Sequence, residues 1–449
     1  MQPATSYQQI LAISTPIMLG SAVQNIIALS DSVFLYHLSE GDFAAIGFVG
    51  VFYLIVAAIG FGFSKGGQII IARRMGEGQY QEVGRSFYAM LYFELALAVL
   101  MFGFMQFGCQ YFFTFFVDSP TILQKSLEYL EYRSYGVFFS YTGVAIVALY
   151  TGIARPAFII VDTIILAIVN ILLNYCFIFG YELAGIRFPA MGIAGAGLAS
   201  TIAEGVAFVV FLGYMFWDQQ TRLFRLFQLP NIDLKLIRTQ FNIGAPIVAQ
   251  AVVGLGSWFV FFGIVENLGE RQLAITNLVR MVYLVLSIPC WGFASGINTL
   301  VSNFIGQRKR QAVIPIIWKT AKICLLFTLV ISLPVLLFPE HILYPLLGSE
   351  DMSLITEARP IFNVLIVILI LFAIGGVYFN GLAGTGATYY GLKIQFFCAV
   401  GYLIYIYYVV EHAKGGLEWA WAAEIFYWAT MLLLTIWYLR SKEWYQLKV

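Results

Sequence analysis

Long apolar stretches divided by short polar breaks run through the whole chain of 449 residues. A helix that crosses a bilayer needs roughly 20 consecutive, mostly apolar residues. Twelve stretches qualify: 10–36, 43–72, 84–112, 126–150, 156–180, 191–217, 236–265, 272–305, 311–338, 354–384, 387–410 and 417–439. The short alternating segments of a membrane barrel are absent. Residues Met1 to Gln9 hold neither a basic run nor a small-residue cleavage site, so the first span is expected to stay in the mature protein. The pattern predicts an all-α polytopic membrane protein.

Composition agrees. Hydrophobic residues make up 61% of the chain and charged residues only 11%, against roughly 25% charged in a soluble domain. The net charge of +1 leaves no basic footprint for nucleic acid. Cys109, Cys176, Cys290, Cys324 and Cys398 are odd in number and lie in apolar sequence, which reads as buried thiols rather than a disulfide scaffold.

The charges give sidedness. With the N-terminus cytoplasmic, 16 of the 25 basic residues fall on the cytoplasmic side, among them Arg73, Arg74, Arg85, Arg222, Arg225, Arg308, Lys309, Arg310, Arg440 and Lys442. Six fall outside: Lys125, Arg133, Arg187, Arg271, Arg359 and Lys414. This bias predicts both termini on the cytoplasmic side and an even number of spans.

The halves repeat. Pro16, Gly62-Phe63 and Gly76 recur as Pro246, Gly292-Phe293 and Gly306, always 230 residues on. Gly152-Ile153-Ala154 recurs as Gly381-Leu382-Ala383, 229 residues on. Six spans repeated in the same order make a parallel repeat about an axis along the membrane normal, the architecture of alternating-access transporters. The expected parts are an N-terminal lobe, 1–217, a cytoplasmic linker, 218–235, and a C-terminal lobe, 236–449.

An ionisable group at membrane depth costs a few kcal/mol or more and is a functional candidate by default. Asp31, Glu94, Asp162, Glu204 and Glu424 lie within the spans, as do Lys65, Arg280 and Lys393. Four of the five acids are in the first lobe, and the position repeating Asp31 is Phe261. Gln24, Ala28 and Asp31 share one helical face, and Pro16 earlier in the same span is a candidate hinge. Asp162, Leu166, Asn170 and Asn174 step by four along the fifth span. Thr201 and Glu204 lie one turn apart on the sixth, after a small-residue run that permits close packing. One carboxylate with several neutral oxygens suits a monovalent cation, whereas carboxylates that share a proton make a proton relay. Arg280, Lys393 and Glu424 are candidates for mutual pairing. Glu94 takes no role, and Lys65 is expected to snorkel.

These residues resemble the MATE family (multidrug and toxic compound extrusion), prokaryotic type, in the multidrug/oligosaccharidyl-lipid/polysaccharide exporter superfamily. The likeness rests on Pro16 with Asp31, Ala44-Ala45-Ile46-Gly47, Gly76, Asn170-xxx-Asn174 with Ile178-Phe179-Gly180, and the run Gly192 to Thr201. It covers the whole chain. It implies two six-helix lobes around a central cavity. It also implies an inner-membrane, monomeric antiporter that expels amphipathic, cationic solutes in exchange for Na⁺ or H⁺. The coupling residues it implies are Asp31, Asn170, Asn174 and Thr201, with Gln24 near the substrate cavity. Many relatives carry an aspartate where this chain has Asn174, which weakens a Na⁺ site. Glu204 is a candidate to replace that charge, by our own reading rather than by a family rule. Asp162 and Arg280 are further cavity candidates. No cofactor beyond the coupling ion is expected.

Two other readings remain open. A flippase for lipid-linked oligosaccharide or polysaccharide precursors would want many cavity Arg and Lys to hold diphosphate, and Arg280 and Lys393 are the main candidates. A membrane enzyme is disfavoured, because His37, His341 and His412 lie outside the spans without metal-ligand spacing and no nucleophile–base pair appears.

Overall fold

The computed structural model describes residues 6–117, 119–183, 186–266, 268–347 and 352–447. The first half runs α1 Tyr7–Tyr36, α2 Glu40–Gly76, α3 Tyr80–Gly103, α4 Cys109–Phe113, α5 Pro120–Arg133, α6 Gly136–Gly152, α7 Ala157–Phe179 and α8 Ile193–Trp217. The second runs α9 Leu234–Glu266, α10 Glu270–Leu286, α11 Ile288–Gly306, α12 Val313–Leu337, α13 Pro339–Leu347, α14 Met352–Gly384, α15 Thr388–Tyr407, α16 Leu417–Trp421 and α17 Ala423–Ser441. A two-stranded hairpin, β1 Tyr181–Leu183 with β2 Ile186–Phe188, joins α7 to α8.

Among the described residues, 9 helices are long and apolar enough to cross a membrane. Two bent pairs each pass as one span: α5 with α6, bent by 56°, and α10 with α11, bent by 44°. Together these are up to 11 spans among the described residues, and the 30-residue α1 lies where the apolar pattern places the first of its twelve. Helix starts follow capping chemistry. Ser39 accepts from the Asp42 amide at the head of α2, and Ser119 does the same for Ile122 before Pro120 opens α5. All five cysteines are free thiols, four of them buried.

The helices gather into two compact units. One is Leu19–Ala245; the other is Met1–Met18 with Pro246–Val449. Both divisions fall inside helices, two residues after Pro16 in α1 and at Pro246 in α9. The opening turns of α1 thus pack with the second half of the chain, and those of α9 with the first. The six-span lobes drawn from the sequence divide the chain in the loop after α8 instead.

Each unit keeps one copy of the same helix crossing. In the first, a Cβ on Gly66 of α2 would meet the Cα of Gly244 in α9 at 2.9 Å. In the second, a Cβ on Gly296 of α11 would collide with Ser14 of α1. Gly296 lies 230 residues after Gly66, and Gly244 lies 230 after Ser14. The register that marks the repeat in sequence therefore reappears as a pair of close backbone approaches, which small residues permit. Phe63 meets Phe93 at 4.8 Å in one unit, and Phe293 meets Phe327 at 5.6 Å in the other.

The linker after α8 packs on the first unit. Asp218 caps a 3₁₀ turn, Gln219–Phe224. The Tyr88 hydroxyl donates to the Leu226 carbonyl, and Tyr92 donates to that of Pro230.

Candidate functional site

The site forms where α1, α5, α7 and α8 meet inside the first unit. Helix α7 buries Thr163, Ala167, Asn170 and Asn174 along one face. Helix α8 comes close because it lacks side chains where it crosses its neighbours. A Cβ on Gly195 would lie 2.5 Å from the Phe177 carbonyl oxygen of α7. One on Gly197 would lie 2.5 Å from that of Tyr129 in α5. The helical period then turns Ser200, Thr201 and Glu204 toward those two helices.

A donor chain runs to Asp31. The Asn170 amide nitrogen donates to Ser200 Oγ at 3.1 Å. Asn170 Oδ1 accepts from the Asn174 nitrogen at 3.1 Å, and that nitrogen also donates to the Asp31 carboxylate. Asn170 and Asn174 are buried, and Asp31 is half-buried. Asn174 Oδ1 has no hydrogen-bond partner.

Beside this chain lies an ion pair absent from the sequence expectations. Arg133, the last residue of α5, sends Nη2 to Glu204 Oε1 at 2.6 Å and Nη1 to Oε2 at 2.8 Å. Arg133 is 6% exposed, so this charge sits inside the bent span and not in an outer loop. Its guanidinium carbon stands 3.8 Å from the centre of the Tyr53 ring, a cation–π contact. Gly136, three residues on, leaves the room. A Cβ there would collide with Arg133 Nη1 and lie 2.9 Å from both Glu204 Oε2 and Thr201 Oγ1. Arg133 and Glu204 both act electrostatically on Asp31.

The bend between α5 and α6 holds this pair in place. A helix that breaks leaves its last carbonyls without intrahelical partners. Here Thr201 donates to the Tyr132 carbonyl at 2.9 Å, and Gln106 donates to that of Glu131 at 3.0 Å and to Ser134 Oγ at 2.7 Å. Gln106 lies in a five-residue π-helical stretch, Phe104–Gly108, a distortion frequent at functional sites.

The structure places Asp31, Asn170, Asn174, Thr201 and Glu204 in this one region of the first unit. Glu204 arrives already bound to Arg133. Asp162 is on α7 but two turns from Asn170, with Oδ1 enclosed and unpartnered. Pro16 lies inside α1; the side chain of Gln24 falls outside the described residues. Arg280 is in the second unit, with its Nε unpartnered and its guanidinium 5.3 Å from the Phe262 ring centre. The mutual pairing considered for Arg280, Lys393 and Glu424 is not found among the described residues. Lys393 lies over Tyr389 and Tyr390, and Glu424 accepts from Trp258 Nε1 at 2.9 Å. Glu94 is fully buried and accepts from Ser64 Oγ at 2.7 Å. Lys65 is half-buried, its Nζ 6.0 Å from the Phe61 ring centre. Sequence reasoning missed Arg133, although a basic residue inside the apolar run 126–150 was a signal in plain view.

The model of the MatE family matches residues 16–176 and again 246–409. The chain belongs to the MatE family. The two matched segments begin at the two repeated prolines. A probable multidrug resistance protein NorM of Synechocystis is 26% identical over 356 residues, covering 77% of this chain and 74% of that protein. A probable NorM of Thermotoga maritima is 22% identical, covering 95% and 91%. Among solved structures, a MOP-superfamily transporter from Pyrococcus furiosus superposes with a TM-score of 0.87 at 18% identity, covering 97% of this chain and 95% of that one. An outward-facing multidrug resistance MATE transporter gives the same TM-score, identity and coverage. The fold of this multi-pass membrane protein is therefore that of the MatE transporters.

Proposed function

We propose that this MatE protein is a secondary multidrug efflux transporter that expels amphipathic, cationic solutes in exchange for a cation, H⁺ or Na⁺, at Asp31. The observation that carries this reading is the half-buried Asp31 carboxylate at the end of a buried amide chain, on the helix that holds Pro16. The names of the NorM relatives support the efflux of drugs. The excess of cytoplasmic Lys and Arg supports cytoplasmic termini in the cell membrane.

The mechanism follows from differential binding. An ion moves a conformational equilibrium only if it binds the two states unequally. A cation at Asp31 cancels a charge at membrane depth, where an isolated charge is costly. Asn174 and the helix that bears Asp31 then no longer need to hold the anion. A helix already missing a backbone hydrogen bond at Pro16 is the element free to change shape. Lobes 1–217 and 236–449, joined by 218–235, serve as the alternating halves. Taking the equilibrium from 1:99 to 99:1 needs about 5.5 kcal/mol of differential binding.

The test is ethidium efflux from proteoliposomes with ΔpH and a Na⁺ gradient imposed separately. At least one gradient should drive efflux, and an ionophore that collapses it should stop efflux. Efflux that persists after collapse of both gradients rules out ion coupling.

A further inference from the structure

The cluster around Asp31 holds a charge that a cation site would not be expected to contain. Na⁺ is a hard cation that needs a shell of several oxygen ligands. A proton needs one acceptor. Coulomb repulsion from a nearby guanidinium opposes both ions alike, so the choice between them rests on the oxygens left available.

Few are. Both oxygens of Glu204 are held by Arg133. The guanidinium does not deprotonate in proteins. It is fixed by two charge-assisted hydrogen bonds, by the Tyr53 ring and by the space that Gly136 leaves. Asn174 turns its nitrogen, not its oxygen, toward Asp31. That orientation is set by the network, because the nitrogen lies between two acceptors, Asp31 Oδ1 and Asn170 Oδ1. Thr201 spends its hydroxyl proton on the Tyr132 carbonyl at the helix break, which holds that oxygen against α5. Asp31 is therefore a lone carboxylate faced by an N–H donor, next to a carboxylate that is already bound.

We propose that Arg133 is a specificity-determining residue of this site: by holding both oxygens of Glu204 beside Asp31, it confines coupling to H⁺ and excludes Na⁺. The inference rests on the reading of Asp31 as the coupling carboxylate. Without Arg133, both oxygens of Glu204 would be released in the region of Asp31, adding a second carboxylate to the oxygens on offer to Na⁺. Arg133 thus acts by withholding ligands, and its removal should create a response and not only abolish one.

The experiment uses ethidium efflux from proteoliposomes driven by ΔpH alone or by a Na⁺ gradient alone, with thermal midpoints of the purified protein in NaCl and KCl at equal ionic strength. The wild type should respond to ΔpH and not to Na⁺, and should melt alike in both salts. Arg133→Gln should gain Na⁺-driven efflux by about tenfold or more, within the ordinary range of coupling energies, and should melt higher in NaCl. Arg133→Gln combined with Glu204→Gln should lose both gains. A wild type driven equally by Na⁺ overturns the proposal even if Arg133→Gln does not fold. A folded Arg133→Gln protein without any Na⁺ response, in efflux or melting, overturns it as well. Asp31→Asn should be silent under both gradients; efflux by that variant would instead overturn the reading of Asp31 and leave the selectivity result of the wild type standing on its own.

Discussion

Glu204 and Glu424 stand on the closing span of each half, Glu204 half-buried and Glu424 buried. Their surroundings differ completely. Glu204 is bound by Arg133 and lies with the Thr201 hydroxyl around Gly136. Glu424, 4% exposed, accepts one indole N–H from Trp258, with Tyr402 and Trp428 alongside. The repeat explains the contrast. The position matching Asp31 is Phe261, whose ring stands 5.4 Å from Trp421 and 6.0 Å from Tyr402. Duplication preserved the backbone devices: Pro16 and Pro246, and the Gly66–Gly244 and Gly296–Ser14 approaches. It did not preserve the polar chemistry. One half keeps a compensated charge cluster, and the other fills the same region with aromatic rings.

The contrast can be broken most strongly at Glu204. Glu204→Gln takes away the carboxylate that binds both Nη atoms of the buried Arg133. Breaking such a pair costs about 3–5 kcal/mol, so a fall of that size in unfolding free energy is expected in a denaturation series in detergent. A loss under about 1 kcal/mol, the range of surface pairs, would show that the pair is solvated.

A smaller effect is expected at Glu424. Glu424→Gln keeps an oxygen acceptor for Trp258 and introduces no unpaired charge. It should cost about 1 kcal/mol or less, the net worth of a neutral hydrogen bond. Ethidium efflux should stay within about twofold of wild type, a change of under about 0.5 kcal/mol. Loss of efflux in this variant would place a second coupling group in the aromatic half and erase the contrast.

Much of this was legible in the sequence. The twelve spans are visible because the bilayer enforces length and apolarity. The repeat is visible because close helix crossings demand small residues at fixed spacing. Helical period places Asn170 and Asn174 on one face of their span and Thr201 with Glu204 on one face of theirs, while the grouping of Asp31, Asn170, Asn174 and Thr201 across spans is what the family resemblance implies. Arg133 was not legible in the same way. Its role depends on a bend of 56° between α5 and α6, and no proline marks that bend in the sequence Tyr132-Arg133-Ser134-Tyr135-Gly136. The break is held from outside, by Gln106 on a π-helical stretch and by Thr201 on another span. Pairings across spans are tertiary facts, and a charge count by loop assigned Arg133 to the outer face. The partner of Glu424 was hidden for the same reason, since Trp258 lies 166 residues away.

Coupling through the carboxylate of Asp31 in the first half is what we propose. Its most direct test is ethidium efflux by Asp31→Asn, reconstituted at the same density as wild type and verified as folded by an unchanged gel-filtration profile. Asparagine preserves size and an oxygen acceptor but can neither take up a proton nor offer a negative charge. Efflux at the level of protein-free vesicles is expected under the gradient that drives the wild type. Undiminished gradient-driven efflux from Asp31→Asn would contradict it.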